Sequence, residues 1–177
     1  IYDTLHIGSA EPLSLSRPYE AQEMDLKDRY PDETEAIEAW THAMRAGYDA
    51  MYRIFPTRAM PELAGDMLDW WNRATISKWI ARTTQEVIDD LTNNKELAAV
   101  MSAQWGDHGG RPSKASFAMH ALIAGAYLPS GAWYPVGGAK AYAEHILPTI
   151  TKRGGEARGG VPVTELLFDS DTVVGVR

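Results

Sequence analysis

Ile37, Trp40, Met44, Tyr48, Met51 and Phe55 recur at intervals of three and four residues, and this run decides most of what the chain can become. The spacing puts all six on one face of a helix of about five turns. A stripe that long has to be covered by other elements, so the chain is committed to a helical body. Asp32, with Glu35 three residues on, is placed to start the helix through a capping box that satisfies its first orphan amides. Pro56 is placed to stop it.

The flanking segments fill in the outline. Residues 1–17 alternate apolar and polar about a Gly-Ser-Ala-Glu-Pro turn, the pattern of a short hairpin. A second helix starts near Pro61 and carries Leu63, Met67, Trp70 and Trp71. Residues 76–105 read as two or three shorter helices, broken near Thr83 and at Asn93-Asn94. The run "GDHGGRPSK" is too rich in glycine and proline for a regular element and reads as a hydrated, turn-rich loop. Ser113 or Ser116 can cap the next helix, "FAMHALIAGAYL", which is apolar nearly all round and is expected to be buried.

Ala139 to Arg153 reads as a helix with Tyr142, Ile146 and Ile150 on one side. Pro148 should kink or shorten it, and Gly154 should end it. Two strands, "VPVTELLF" and "TVVGVR", close on a polar "DSD" turn. The expected fold class is α+β and predominantly helical, with a short N-terminal β hairpin and a C-terminal helix followed by strands. There is no internal repeat. Strand-like sequence at both ends suggests an excerpt of something longer.

Bulk properties then narrow the chemistry. With 177 residues the chain is long enough for one domain with a sizeable core. Its net charge of −7 argues against a nucleic-acid partner, which requires a basic surface. The absence of cysteine excludes disulfides, iron–sulfur clusters and thiolate zinc sites. It fits a reducing, cytoplasmic setting. The longest mostly apolar run, residues 117–128, contains His120 and is too short to span a bilayer.

None of the five histidines pairs with another at a helical ligand spacing, so no metal site is expected. His120, on an apolar helix, reads first as a hydrogen-bonded core residue. Ser113 or Ser116 with His120 and an aspartate falls short of a hydrolase triad, because there is no G-x-S-x-G elbow. The residues identify no catalytic group. Trp70 and Trp71 are more suggestive, since adjacent residues cannot share one helix face. Gly137-Gly138, just before a helix, leaves its first amides and positive dipole end approachable. On spacing alone, a cofactor contact and tight helix–strand packing explain these glycines equally well. The chain has neither G-x-G-x-x-G nor a P-loop, and so no diphosphate cradle of its own.

From about Tyr52 onward, the ordered runs Q-W-G, S-F-A-M-H, Y-P-V-G-G, P-V-T-E and V-x-G-V resemble the phytoene desaturase-like flavoproteins, nearest to the carotenoid isomerase and retinol saturase branch. The first fifty residues match only in general character. The resemblance implies an FAD-dependent oxidoreductase acting on a long apolar polyene by desaturation, saturation or isomerisation. This chain would be its middle portion, inactive alone. Residues 1–131 would belong to the substrate domain, and residues 132–177 to a partial segment of the FAD-binding domain.

Carried over position by position, the resemblance implies that Gly137 and Gly138 pack close to FAD, and that the Val163 backbone meets the adenine. Trp70, Trp71, His120, Tyr127 and Tyr134 become the candidate substrate contacts. The family often has a histidine before the tyrosine at position 127, where this chain has Ala126, so no role carries over for that side chain. The family's N-terminal glycine fingerprint and C-terminal flavin-binding segment are missing, which predicts weak or absent FAD binding. The implied partners are an apolar small molecule and the remainder of the FAD-binding domain. Peripheral membrane contact of the intact protein and a homodimer formed through uncovered apolar surface are further expectations. A free-standing helical module that binds a hydrophobic ligand or a protein is the competing reading.

Overall fold

Helix α2 (Thr34–Ile54) is the axis of the N-terminal half, and it buries Ile37, Trp40, Ala43, Met44, Gly47, Ala50, Met51 and Ile54 along one side. The stripe is the predicted one at Ile37, Trp40, Met44 and Met51, but Tyr48 is half-buried and Phe55, beyond the helix end, is exposed, so Ile54 closes the buried face in its place. Its start differs from expectation. Pro31 opens a 3₁₀ turn (Pro31–Glu33) that runs straight into the helix, so Asp32 lies inside the turn and does not cap it. Thr34 Oγ1 instead donates to the Pro31 carbonyl at 3.0 Å. At the other end α2 stops at Ile54 and tightens into a 3₁₀ turn over Phe55–Ala59, as Pro56 requires.

The computed structural model describes residues 1–177 and divides them into two compact units, Ile1–Ala132 and Trp133–Arg177. In the first unit, β1 (Asp3–Leu5) pairs antiparallel with β2 (Leu13–Leu15), Thr4 opposite Ser14. Leu13 and Leu15 face the core while Ser14 faces outward. A helix that periodicity does not reveal follows, α1 (Tyr19–Arg29), in which only Leu26 is buried. It is held partly by charge. Lys27 Nζ contacts Glu23 one turn back and Glu38 of α2, both at 2.7 Å, and Arg45 of α2 pairs with Glu20.

Beyond α2 come α3 (Glu62–Trp71), the single turn α4 (Arg73–Thr75) and a π-helical turn over Ile76–Ile80. Helix α5 (Thr84–Asp89) begins with the reciprocal cap expected elsewhere. Thr83 Oγ1 accepts the Glu86 amide at 3.2 Å and Glu86 accepts the Thr83 amide at 2.7 Å. Asn94 caps α6 (Lys95–Ser102) through the amides of Glu96 and Leu97. The breaks near Thr83 and Asn94 therefore lie where the sequence puts them.

Helix α7 (Phe117–Ser130) is the second wall of the core and buries Phe117, Ala118, His120, Ala121, Ala124, Gly125 and Leu128. Phe117 sits between two tryptophans, with ring centroids 5.6 Å from Trp40 and 5.7 Å from Trp79. Ser116 stands at the N-cap without capping, because its hydroxyl donates to the Ile80 carbonyl at 2.7 Å.

The second unit has helix α8 (Lys140–Thr151) and a hairpin of β3 (Leu166–Asp169) and β4 (Thr172–Val176). Pro148 lies inside α8, which ends three residues later. The hairpin turn passes through Ser170 at φ 53°, and the register shifts between Leu167 and Phe168. The first strand is shorter than expected. Residues 161–165 are irregular, although Thr164 and Arg177 extend the pairing with a 2.8 Å hydrogen bond. No helix is long and apolar enough to cross a membrane. The architecture is the α+β, mostly helical arrangement expected, with a hairpin at the N-terminus and a helix plus strands at the C-terminus.

Candidate functional site

Trp70 and Trp71 end α3, and both are open to solvent, 63% and 78% exposed. Arg73 lies over the Trp70 ring, 4.7 Å from its centroid, so that face already carries a cation. Tyr52, Phe55, Leu63 and Met67 are also exposed, and no residue of α3 is buried. That much uncovered aromatic and aliphatic surface is unusual for a helix that packs only within its own unit.

His120 has a different environment. It is 1% exposed, on the inner side of α7, and both ring nitrogens are engaged by protein. Nε2 lies 3.2 Å from the Met101 carbonyl and Nδ1 lies 3.1 Å from Nε2 of His108. The reading of the glycine-rich loop as hydrated is therefore corrected at His108, whose ring turns inward to the core. Nothing in the spacing announces this pair, because its members are twelve residues apart on different elements.

Beside His120 is an internal cavity of about 20 Å³, lined by Gln22, Leu26, Trp40 and Gln104 among others. It has room for about one water and none for a polyene. Tyr127 stacks on Tyr2 at 5.4 Å, and Tyr2 is tied through its hydroxyl to Gln104 and Gln22. Burial pushes the Tyr2 phenol up to about 12 and raises Tyr127 as well, so both remain protonated donors at neutral pH.

In the second unit the Y-P-V-G-G run borders an open apolar groove of about 320 Å³, lined by Pro135, Val136, Ala141, Tyr142, His145 and Ile146. Val136 is 99% exposed and Tyr134 79%. Sequence periodicity identifies Tyr142 and Ile146 as one side of α8 but gives no hint that a loop turns back to flank them. Gly137 and Gly138 have φ of 90° and 80°, conformations that any side chain would strain. A Cβ at either would meet nothing closer than 3.9 Å. Within this unit, then, the glycines are required by the turn and leave the backbone approachable rather than filled by packing. Val163, in the irregular stretch before β3, is exposed.

Comparison with known proteins gives one consistent result. Over 99% of its length the chain is 32% identical to all-trans-retinol 13,14-reductase of Danio rerio, of which it spans 30%. It is 29% identical to the Homo sapiens protein of the same name over 82% of this chain and 24% of that one. It is also 26% identical to a Danio rerio protein named inactive all-trans-retinol 13,14-reductase, over 83% of this chain. The chain thus spans less than a third of the length of the curated relatives it matches. No family model matches it, and no solved structure does.

Proposed function

This chain is homologous to one segment of the all-trans-retinol 13,14-reductase and phytoene desaturase-like family, and from that premise we propose that it is part of an FAD-dependent oxidoreductase acting on a long apolar polyene. The observation that carries the proposal is the match of nearly the whole chain to one continuous portion of a redox enzyme. Residues 1–131 form the substrate-domain portion, and residues 132–177 form a segment of the FAD-binding domain. The reaction is desaturation, saturation or isomerisation. A relative named as inactive shows why activity has to be measured and not inherited from the family.

The residues present fit the edge of a flavin site and no more. The open backbone at Gly137 and Gly138 is what close approach of a dinucleotide requires, and Val163 offers an exposed backbone for an adenine. When bound, FAD supplies the hydride chemistry, and the protein positions the substrate and keeps water out. Trp70 and Trp71 are the exposed aromatic rings that the first unit offers to an apolar ligand, and Tyr134 is an exposed aromatic ring of the second unit taken by itself. Tyr127 and His120 make their own contacts within the first unit, with Tyr2 and with His108 and the Met101 carbonyl.

The remainder of the FAD-binding domain covers the groove along α8. If so, the purified 177-residue chain is colourless after desalting and has no flavin absorbance. Flavin retained at one equivalent would overturn the reading of this chain as half a site.

A second reading, a binding module for a hydrophobic ligand, is favoured by one observation, the open apolar groove at Tyr142 and Ile146. Titration with retinol separates the two. Saturable micromolar binding to the chain alone supports the module, and binding only within the full-length protein supports the enzyme.

A further inference from the structure

The contacts of His108 and His120 have a direction fixed at both ends. The Met101 carbonyl can only accept, so His120 Nε2 carries a hydrogen and donates to it at 3.2 Å. The Gly110 amide can only donate, so His108 Nδ1 is bare and accepts from it at 3.3 Å. The proton shared between the rings then belongs to His108 Nε2, which donates to His120 Nδ1 at 3.1 Å. Both imidazoles are neutral, both are Nε2–H tautomers, and all four ring nitrogens are in use.

Such a chain has no place for another proton. A proton on His108 Nδ1 would face the Gly110 N–H. A proton on His120 Nδ1 would face the His108 N–H. Either way one link is lost and a charge stands at the wall of an apolar core. We propose that the His108–His120 pair is an acid-sensitive latch, which holds the segment 105–110 against the core at neutral pH and releases it when the pair takes up a proton.

The rest of the region makes the release local. The residues after the segment are tied to α5, with the Gln85 amide donating to Pro112 O at 2.9 Å and the Thr84 amide to Ala115 O at 3.0 Å. Just before the segment, Gln104 is tied to the Tyr2 hydroxyl at 3.3 Å. Between those anchors the inward ties are His108 to His120 and the hydrogen bond between Asp107 and the Tyr127 hydroxyl, and only the first is a link that an added proton on the histidine pair breaks.

The groups facing the pair from each packed element are few. Helix α6 presents only the Met101 carbonyl, α2 presents the Trp40 ring at 5.9 Å from His120, and the carboxylate of Asp107 stands beside His108. Helix α7 adds the Tyr127 phenol, which is neutral at these pH values. Asp107 pulls His108 upward, but burial outweighs it and lowers the ring. Burial, followed by repulsion from His108, lowers His120 to about 4.

The test uses ring-nitrogen NMR and amide exchange on the 177-residue chain between pH 7.5 and 3.5. The latch requires both rings to be Nε2–H tautomers at pH 7.5. It also requires amides 105–110 to lose protection at least tenfold on acidification, beyond the intrinsic change, while α2 amides stay protected. His108→Ala should open the segment already at pH 7.5 and abolish the pH step. Rings that titrate independently near the ordinary histidine value would overturn the proposal, and so would protection unchanged at pH 3.5. If His108→Ala fails to fold, the ring tautomers and wild-type exchange decide by themselves.

Discussion

Gly47 of α2 and Ala121 of α7 meet so closely that a Cβ built on the glycine would stand 2.8 Å from the Cβ of Ala121. Phe117 Cε1 would lie only 3.0 Å away on the same side. The two longest walls of the core therefore touch at a residue without a side chain, and the crossing distance of α2 and α7 depends on it.

Replacing Gly47 with alanine should destabilise the chain by about 1–3 kcal/mol through overpacking, although alanine is the better helix former. Urea unfolding of the purified chain would check this. A gain in stability would mean that the helices separate at no cost.

The capping pair at α5 gives a smaller and cleaner effect. Thr83→Ala removes the acceptor for the Glu86 amide and should cost about 1 kcal/mol. Thr83→Ser should restore most of it, since the hydroxyl and not the methyl carries the cap.

The stability of the N-terminal unit should depend on pH in a defined window. In the folded chain His120 lies near 4, below its ordinary value of 6.5, so the unfolded chain binds protons that the folded chain refuses. The stability from keeping the ring neutral is complete above about pH 6.5 and is lost progressively as pH falls toward 4. A loss on the order of 3 kcal/mol follows from a shift of that size. The midpoint of thermal unfolding should fall accordingly, and His120→Asn should flatten the dependence.

The exposed tryptophans should behave oppositely to core residues. Trp71→Ala should change the stability of the isolated chain by less than about 0.5 kcal/mol, because the ring is already in water. In the full-length protein the same change should raise KM for a polyene several-fold. An unchanged KM would remove Trp71 from the substrate surface.

The groove of the second unit can be tested in the same two contexts. Ile146→Asp places a charge on an exposed position of α8 and should leave the isolated chain folded. If the proposed remainder of an FAD-binding domain packs on this groove, the substitution should cut flavin retention in the full-length protein, because a carboxylate would then be buried without a partner. Full retention would show that this groove stays open in the whole enzyme.

The sequence by itself determined what depends on short-range order. The apolar stripe of α2, the breaks at Thr83 and Asn94, the buried character of α7 and both hairpins follow from spacing, caps and turns, since those are set by neighbours within a few residues. The homologous segment was also legible, in the ordered runs from Q-W-G to V-x-G-V. What the sequence left undecided lies in contacts between distant residues. Helix α1 has no apolar stripe and is held partly by ion pairs to α2, so its periodicity was silent. The capping box moved from Asp32 to Thr83 because Pro31 begins a turn that runs into α2 without a break. Only the tertiary structure brought His108 to His120, opened Trp70 and Trp71 to solvent, and turned the loop at Gly137 and Gly138 along an apolar groove. Each of these depends on which surfaces the packed core leaves uncovered, and that is a property of the whole fold that no local window of sequence contains.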